Sequence, residues 1–522
     1  MTMEYFSGSK KLLSFIINDW KLLLFLTLIF TIYFYFTSTF DYFEKRGIKY
    51  KKPIIFFGNL AARFASKRSF HDFQLDLYNY FKGHPVGGTF RGRTPILYIM
   101  DPDLIKAVTI RDFEHFVDRN TLNSKEPRYL SQSLLNLKGT EWKGVRSTLT
   151  PAFSSLQLRK MLPLVEMCTN QMVEFLRNYD KKDIEMKDIM GHYTLEVIGA
   201  CAFGIKADAL KDENSHFIQV AKKFNYMTTF KRIYIFFLLM FMPKMIIRYL
   251  NISFFNSEST EELVRVLQAT KAERRSSGIK KNDFLQLLID AAENEETEGH
   301  TKSKKILDDD TIDAQSLLFL IAGYETSSSL LSFAIHVLAT KPDLQTKLRE
   351  YVLEHTEGKE ISYELFSQLH YLEGFLLETL RLFPPVAIVD RVCTKNYTLP
   401  EISLQLTKGD IIAVPVYGIH MDPDIYPEPE EFRPERFMDD EKKERPPHMY
   451  LPFGVGPRYC IGQRFAMFST KVAMVALLKN FKFSVCDKTQ HPVKFNKRTF
   501  LLQSEIIKSI IVEGSISKRI IA

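Results

Sequence analysis

The stretch LPFGVGPRYCIGQRFA, Leu451 to Ala466, sets one cysteine among three glycines and two arginines. Cys460 is one of five cysteines in 522 residues, with Cys168, Cys201, Cys393 and Cys486. No two stand as CxxC, so a zinc ribbon is excluded. An odd, sparse count argues against a disulfide framework and suits a reducing compartment. Cys460 therefore has to act without a second cysteine. A reactive or metal-binding cysteine needs thiolate character. Gly454, Gly456 and Gly462 allow turns that aim backbone N–H groups at the sulfur. Such hydrogen bonds stabilise a thiolate and tune any metal it holds. IGQRFAMFSTKVAMVALL, from Ile461, then reads as a helix whose positive end faces the sulfur. A protease-type cysteine needs a partner histidine, and the local sequence supplies none. One thiolate with N–H donors around it fits the axial ligand of a haem.

Two upstream segments break the usual rules of a core. AQSLLFLIAGYETSSSLLSFAIHVLAT, within a helical pattern from about Asp310 to Thr340, is apolar on nearly every face. Yet its centre holds Gly323, which weakens a helix by about 1 kcal/mol relative to alanine, then Glu325 and four hydroxyls. Thr326 can bond back to the carbonyl of Ala322 and loosen the turn. Glu325 in apolar company is costly unless paired. One reading is a polar patch on a small cavity. The other is an opened turn holding an acid and an alcohol that pass protons to a buried reaction centre. In GFLLETLRLFPP, Glu378 and Arg381 share one helix face. An isolated pair at that spacing is ordinarily a surface pair; in this apolar setting a buried pair is the alternative, and each charge then needs further partners. Arg436 in PERF is the third member expected.

The rest of the chain bounds the setting. It is 45% hydrophobic and 25% charged, with a formal charge of +8. No repeat of 20–50 residues suggests a solenoid. The basic tracts are short and lack interleaved aromatics, which argues against nucleic acid. From Leu22 to Phe40 no residue is charged, and 19 residues span roughly 28 Å of helix. No small-residue cleavage site follows, so a membrane anchor is expected rather than a signal peptide. Lys10, Lys11 and Lys21 precede it; Lys45, Arg46, Lys49, Lys51 and Lys52 follow, an excess that puts the C-terminal side in the cytoplasm. The sequons at Asn251 and Asn396 then escape glycosylation. The division expected is a short segment 1–21, an anchor 22–40, a basic linker 41–52 and a single domain 53–522. The run from Ile233 to Met242, stopped by Pro243 and Lys244, is too short to span; a core helix and a membrane-dipping segment are both open. Helical periodicity dominates elsewhere, with β-like pieces such as PILYIM and DIIAVPVYGI. PDIYPEPEEFRP reads as an ordered coil and 293–305 as an exposed polar loop.

The pattern F-x-x-G-x-R-x-C-x-G at Phe453, Gly456, Arg458, Cys460 and Gly462 resembles the signature of the cytochromes P-450. The resemblance is carried separately by A-G-x-[DE]-T-[TS] at Ala322 to Ser327, by E-x-x-R at Glu378 and Arg381, by PERF, and by W-x-x-x-R at Trp142 and Arg146. It covers residues 53 to 505 and looks closest to animal microsomal members: vertebrate steroid- and drug-oxidising and insect detoxification enzymes. It implies a mainly α cytochrome P-450 fold with small β-sheets and one N-terminal transmembrane helix. It implies haem b (iron protoporphyrin IX), with Cys460 as proximal iron ligand and Phe453 packed beside it. Arg458, Arg146 and Trp142, with Arg391 in VDRVC and Arg119 in FVDRN, would hold the propionates. Thr326 and Glu325 would deliver protons to dioxygen; Glu378, Arg381 and Arg436 would be structural. The hinge after the anchor keeps only Pro53, where the family is often proline-rich.

The reaction implied is insertion of one atom of O2 into an apolar substrate (xenobiotic, steroid, fatty acid or terpenoid). Electrons would come from NADPH through cytochrome P-450 reductase, with cytochrome b5 as a second donor, at the endoplasmic reticulum membrane. The rivals are a P-450-type isomerase or dehydratase and a haem-binding carrier without turnover. Retention of both Glu325 and Thr326 counts against the first. The pocket is expected from the segment after Arg119, the Ile233 region, Phe319 to Ala322, Val386 to Val389 and Thr499 to Leu502.

Overall fold

A computed structural model of the protein describes residues 20–64, 68–121, 128–179, 184–212, 215–224, 228–241, 255–297, 306–504 and 508–513. Lys10, Lys11, Asn251, the stop at Pro243 and Lys244, most of the segment following Arg119 and residues 298–305 lie outside these residues. The loop expected from residue 293 starts later than read, because 293–297 continue the helix Phe284–Thr297.

The anchor forms a helix, Trp20–Thr37, whose side chains are exposed from Trp20 through Phe34. Its threonine hydroxyls are satisfied within the helix: Thr27 and Thr31 each donate to the carbonyl four residues back, at 2.7 Å. That is what an apolar surround demands. The last residues of the apolar run turn into the body of the protein. Phe36 is buried edge-on against Phe56 at 4.8 Å. Arg93 lies 4.0 Å over the Tyr35 ring and donates to Ser38 Oγ at 3.2 Å. The stretch 41–52 keeps Lys45, Arg46, Lys49 and Lys52 outward and Phe43 fully buried against Gly88. Lys51 N–H pairs with Gly88 O at 3.0 Å, joining this stretch to the sheet.

That sheet has four strands. The hairpin Val86–Arg91 and Thr94–Ile99 is antiparallel; Thr94–Ile99 runs parallel to Ile411–Val414, which pairs antiparallel with Val389–Val392. PILYIM is a strand as read. DIIAVPVYGI is one only in its first half: Pro415 has no N–H to extend the ladder, and Val416–His420 forms a short helix instead. The sheet has its own apolar core, including Phe81, Phe90, Ile99, Ile412 and Leu451.

The larger core is helical. Asp309–Thr340 runs through it as one unbroken helix, started by Asp308, whose carboxylate accepts from Thr311 N–H. Met186–Ile198, His370–Leu382 and Gln463–Asn480 pack against it, and Ser155–Arg177 packs on the first and last of these. Gly323 has a packing reason: a Cβ there would stand 2.5 Å from Ile198 Cδ1. The glycine lets two core helices approach. The run from Ile233 lies in helix Thr229–Phe241. Ile235 and Leu238 are buried, whereas Phe230, Ile233, Tyr234 and Phe237 are exposed. A core helix would be covered all round; this one keeps an open apolar face.

Candidate active site

The cysteine loop is a closed turn. Cys460 N–H donates to Phe453 O at 2.8 Å. Gly454 and Gly456 are left-handed, at φ 70° and 72°, where only glycine is at ease. Gly456 has a second reason, since a Cβ there would be 1.8 Å from the carbonyl oxygen of Thr109. Gly462 differs. Its φ is −84° and a Cβ would meet only Phe153 at 3.8 Å. Its contribution is its N–H: burial pushes the Cys460 thiol up, and the N–H groups of Gly462 and Gln463 with the charges of Arg119 and Arg146 pull it back down. The expectation that N–H groups face the sulfur therefore has its geometry, from the helix start rather than from the positive-φ glycines. Cys460 is exposed by surface area yet desolvated by surrounding protein. Both hold when a sulfur faces an interior cavity.

Four arginines converge beside it. Arg458 donates to Val117 O at 2.9 Å, Leu134 O at 3.2 Å and Leu137 O at 2.7 Å, and stacks 4.2 Å from the Trp142 ring. Trp142 thus supports Arg458. Arg119 donates to Arg458 O at 3.0 Å. Arg146 stacks 4.8 Å from the Tyr459 ring. Arg391, on strand Val389–Val392, is 1% exposed, and among the described residues its Nε and Nη2 have no partner. Burial first, then the neighbouring guanidinium charges, bring Arg391 and Arg458 down to about 9. Asp390 and Asp118 are the nearby carboxylates. Buried donors left open on a crowd of cations call for an anion.

The long helix reaches the same region. Phe153 contacts Phe319 ring to ring at 5.4 Å and also borders Gly462. Ala322 is exposed and Gly323 and Thr326 are half-buried, amid a helix otherwise packed in the core. Thr326 Oγ1 donates to Ala322 O at 2.6 Å, as its position suggested, but the helix does not open. Glu325 is not turned to Thr326 for its hydrogen bond. Its Oε1 accepts from Gln503 Nε2 and lies 3.4 Å from Lys187 Nζ. Neither partner was found in the sequence, since they lie 138 residues before and 178 after it.

Beneath the loop, Arg381 forks onto Glu378 at 2.7 and 2.8 Å, and Arg436 Nε joins at 3.3 Å. All three are buried, Glu378 and Arg381 completely. Arg433 N–H adds a fourth donor at 3.0 Å. The expected triad forms.

A sulfur exposed yet desolvated, and a buried guanidinium with unused donors among neighbouring cations, fit a metal-bearing dicarboxylate cofactor, which is what a haem is. The comparisons agree. A profile of the family described as Cytochrome P-450 matches residues 48–510. Cytochrome P-450 9e2 of Blattella germanica is 41% identical over 491 residues, 88% of this chain and 91% of the relative. Probable cytochrome P-450 9f2 of Drosophila melanogaster is 35% identical, over 88% and 93% of the two chains. Cytochrome P-450 3A9 of Rattus norvegicus is 35% identical, over 94% and 96%. The protein is a haem-dependent monooxygenase that works with a redox partner on apolar substrates. The chain belongs to the cytochrome P-450 family.

Proposed function

We propose that this chain oxygenates an apolar organic compound (a xenobiotic, steroid, fatty acid or terpenoid) with electrons from NADPH carried by cytochrome P-450 reductase, and with cytochrome b5 as a second donor. The observation that carries the reading is a cysteine exposed yet desolvated, Cys460, in a chain that also buries Arg391 with Nε and Nη2 unpartnered among the described residues. Cys460 holds the iron of haem b; Arg391, Arg119 and Arg146 take its propionates, and Arg458 and Trp142 hold that wall in place. Phe453 closes the loop around the sulfur and Gly456 lets the loop pass under Thr109. The bound haem supplies the activation of dioxygen. The chain's residues do the rest. Arginine forks orient the cofactor, the apolar wall around Phe319 excludes water, and Thr326 and Glu325 hold protons beside Ala322.

Trp20–Thr37 crosses the endoplasmic reticulum membrane, with the domain 53–522 on the cytoplasmic side and 41–52 as its seat. The open face of Phe230, Ile233, Tyr234 and Phe237 dips into the same lipid. The test is a panel of steroids, fatty acids, terpenoids and xenobiotics, scored by haem spin-state shift and by NADPH-dependent product. Turnover of a hydroperoxide without reductase, and none with it, would favour the isomerase or dehydratase reading.

A further inference from the structure

Lys187 and Gln503 converge on one oxygen of Glu325. The carboxyl group is buried on the long core helix. Gln503 Nε2 donates to Oε1, and Lys187 Nζ lies 3.4 Å from the same atom. Among the described residues Oε2 accepts no hydrogen bond from either. The two partners come from separate, firmly held elements. Lys187 sits in the first turn of helix Met186–Ile198, which packs on the long helix through Gly323 and Ile198. Gln503 is pinned through the backbone: its carbonyl accepts from Asn496 N–H at 2.7 Å, and Leu502 N–H donates to Pro385 O at 2.9 Å. Lys187 is the member with a way to water, at 27% side-chain exposure against 10% for Glu325.

We infer that Lys187 and Gln503 are positioning residues that hold Glu325 by Oε1, leaving Oε2 to carry the proton, and that protons reach the site along the Lys187 side. This rests on the role of Glu325 proposed above. On loading, a buffer acid or water gives up a proton and an O–H bond forms at Oε2. On delivery that bond breaks, the proton passes to a water beside Thr326, which gives one of its own protons to the oxygen atom leaving as water, and the carboxylate is restored against the Lys187 ammonium. Electrons come from the redox partner. A carboxyl group held at one oxygen keeps its other oxygen in one place through both states, which a freely rotating group would not do.

The experiment uses the full chain with its haem and reductase in phosphatidylcholine nanodiscs. Two quantities are read: the share of NADPH electrons leaving as hydrogen peroxide, and the thermal midpoint. Glu325→Gln comes first. If it leaves the peroxide share unchanged, the role of Glu325 itself falls. If it raises the share, Lys187→Met and Gln503→Ala are each expected to raise it about 3- to 10-fold, a small part of the span of acid–base catalysis, with the reduced carbon monoxide spectrum unchanged. Lys187→Arg is expected to return the share to within about twofold, because a guanidinium can also pair at Oε1. The midpoints of Lys187→Met, Glu325→Gln and the double variant are expected to be non-additive. Peroxide unchanged in both Lys187→Met and Gln503→Ala, or additive midpoints, overturns the inference while leaving Glu325 its role. Should Lys187→Met lose its haem, Gln503→Ala and Lys187→Gln carry the same comparison.

Discussion

Arg381 and His420 hold each other by their main chains. Arg381 Nη1 donates to His420 O at 2.8 Å, and His420 Nδ1 bonds Arg381 O at 3.1 Å. The second ring nitrogen accepts from Leu451 N–H at 3.0 Å, where the cysteine loop begins. One neutral imidazole therefore joins the Glu378–Arg381–Arg436 triad to the loop that carries Cys460. Replacing it strands a buried carbonyl and a buried N–H, at about 1–3 kcal/mol each. His420→Ala is expected to lose about 2–6 kcal/mol in urea unfolding and to shift part of the reduced carbon monoxide spectrum away from its thiolate form.

The same burial sets an acid limit. His71 and His336 are brought down to about 4 and His420 to about 3, by burial first. A folded value below the ordinary 6.5 means that the unfolded chain binds more protons between the two. Stability is then present above pH 6.5 and lost as pH falls toward 4 and 3, by up to about 1.4 kcal/mol per unit for each ring. His336 is the clean probe, because among the described residues neither of its ring nitrogens is hydrogen-bonded. His336→Leu is expected to keep stability at pH 7.5 and to flatten the slope of urea stability between pH 6.5 and 4 by about one proton.

Gly456 and Gly462 separate two reasons for glycine. Gly456→Ala sets a Cβ against the Thr109 carbonyl at positive φ and is expected to abolish haem incorporation. Gly462→Ala has neither obstacle and is expected to cost under about 1 kcal/mol and keep the haem. The measurement is haem content of purified protein.

Glu378→Gln leaves Arg381 and Arg436 buried without their counter-charge. Breaking such a group costs about 3–5 kcal/mol, and the expected outcome is insoluble or haem-free protein. Arg391→Met acts the other way. It removes a buried cation with two unused donors, so the haem-free protein is expected to gain thermal stability while the holoprotein loses haem faster to apomyoglobin.

The parts legible in the sequence were those where local rules are broken at a cost. Glycines around Cys460, hydroxyls within a core helix and an ion pair among apolar residues each demanded an explanation near at hand. Arg436 was legible because PERF precedes the loop closely. His420, Lys187 and Gln503 were not: their partners come from distant chain positions, and no local pattern marks them. The strand reading of DIIAVPVYGI overran because alternation continued past Pro415, where the missing N–H ends the ladder. The anchor was legible by length, but its seat was not. Arg93 over Tyr35 joins a hairpin to a helix residue 58 positions earlier.

The central claim is that Cys460 holds the iron as a thiolate. Its most direct test is the absorption spectrum of the reduced protein under carbon monoxide, taken for the wild type and for Cys460→Ala. The wild type is expected to show the red-shifted Soret band of thiolate ligation, and Cys460→Ala to lose it while its far-ultraviolet circular dichroism stays native. Persistence of that band in Cys460→Ala would contradict the account.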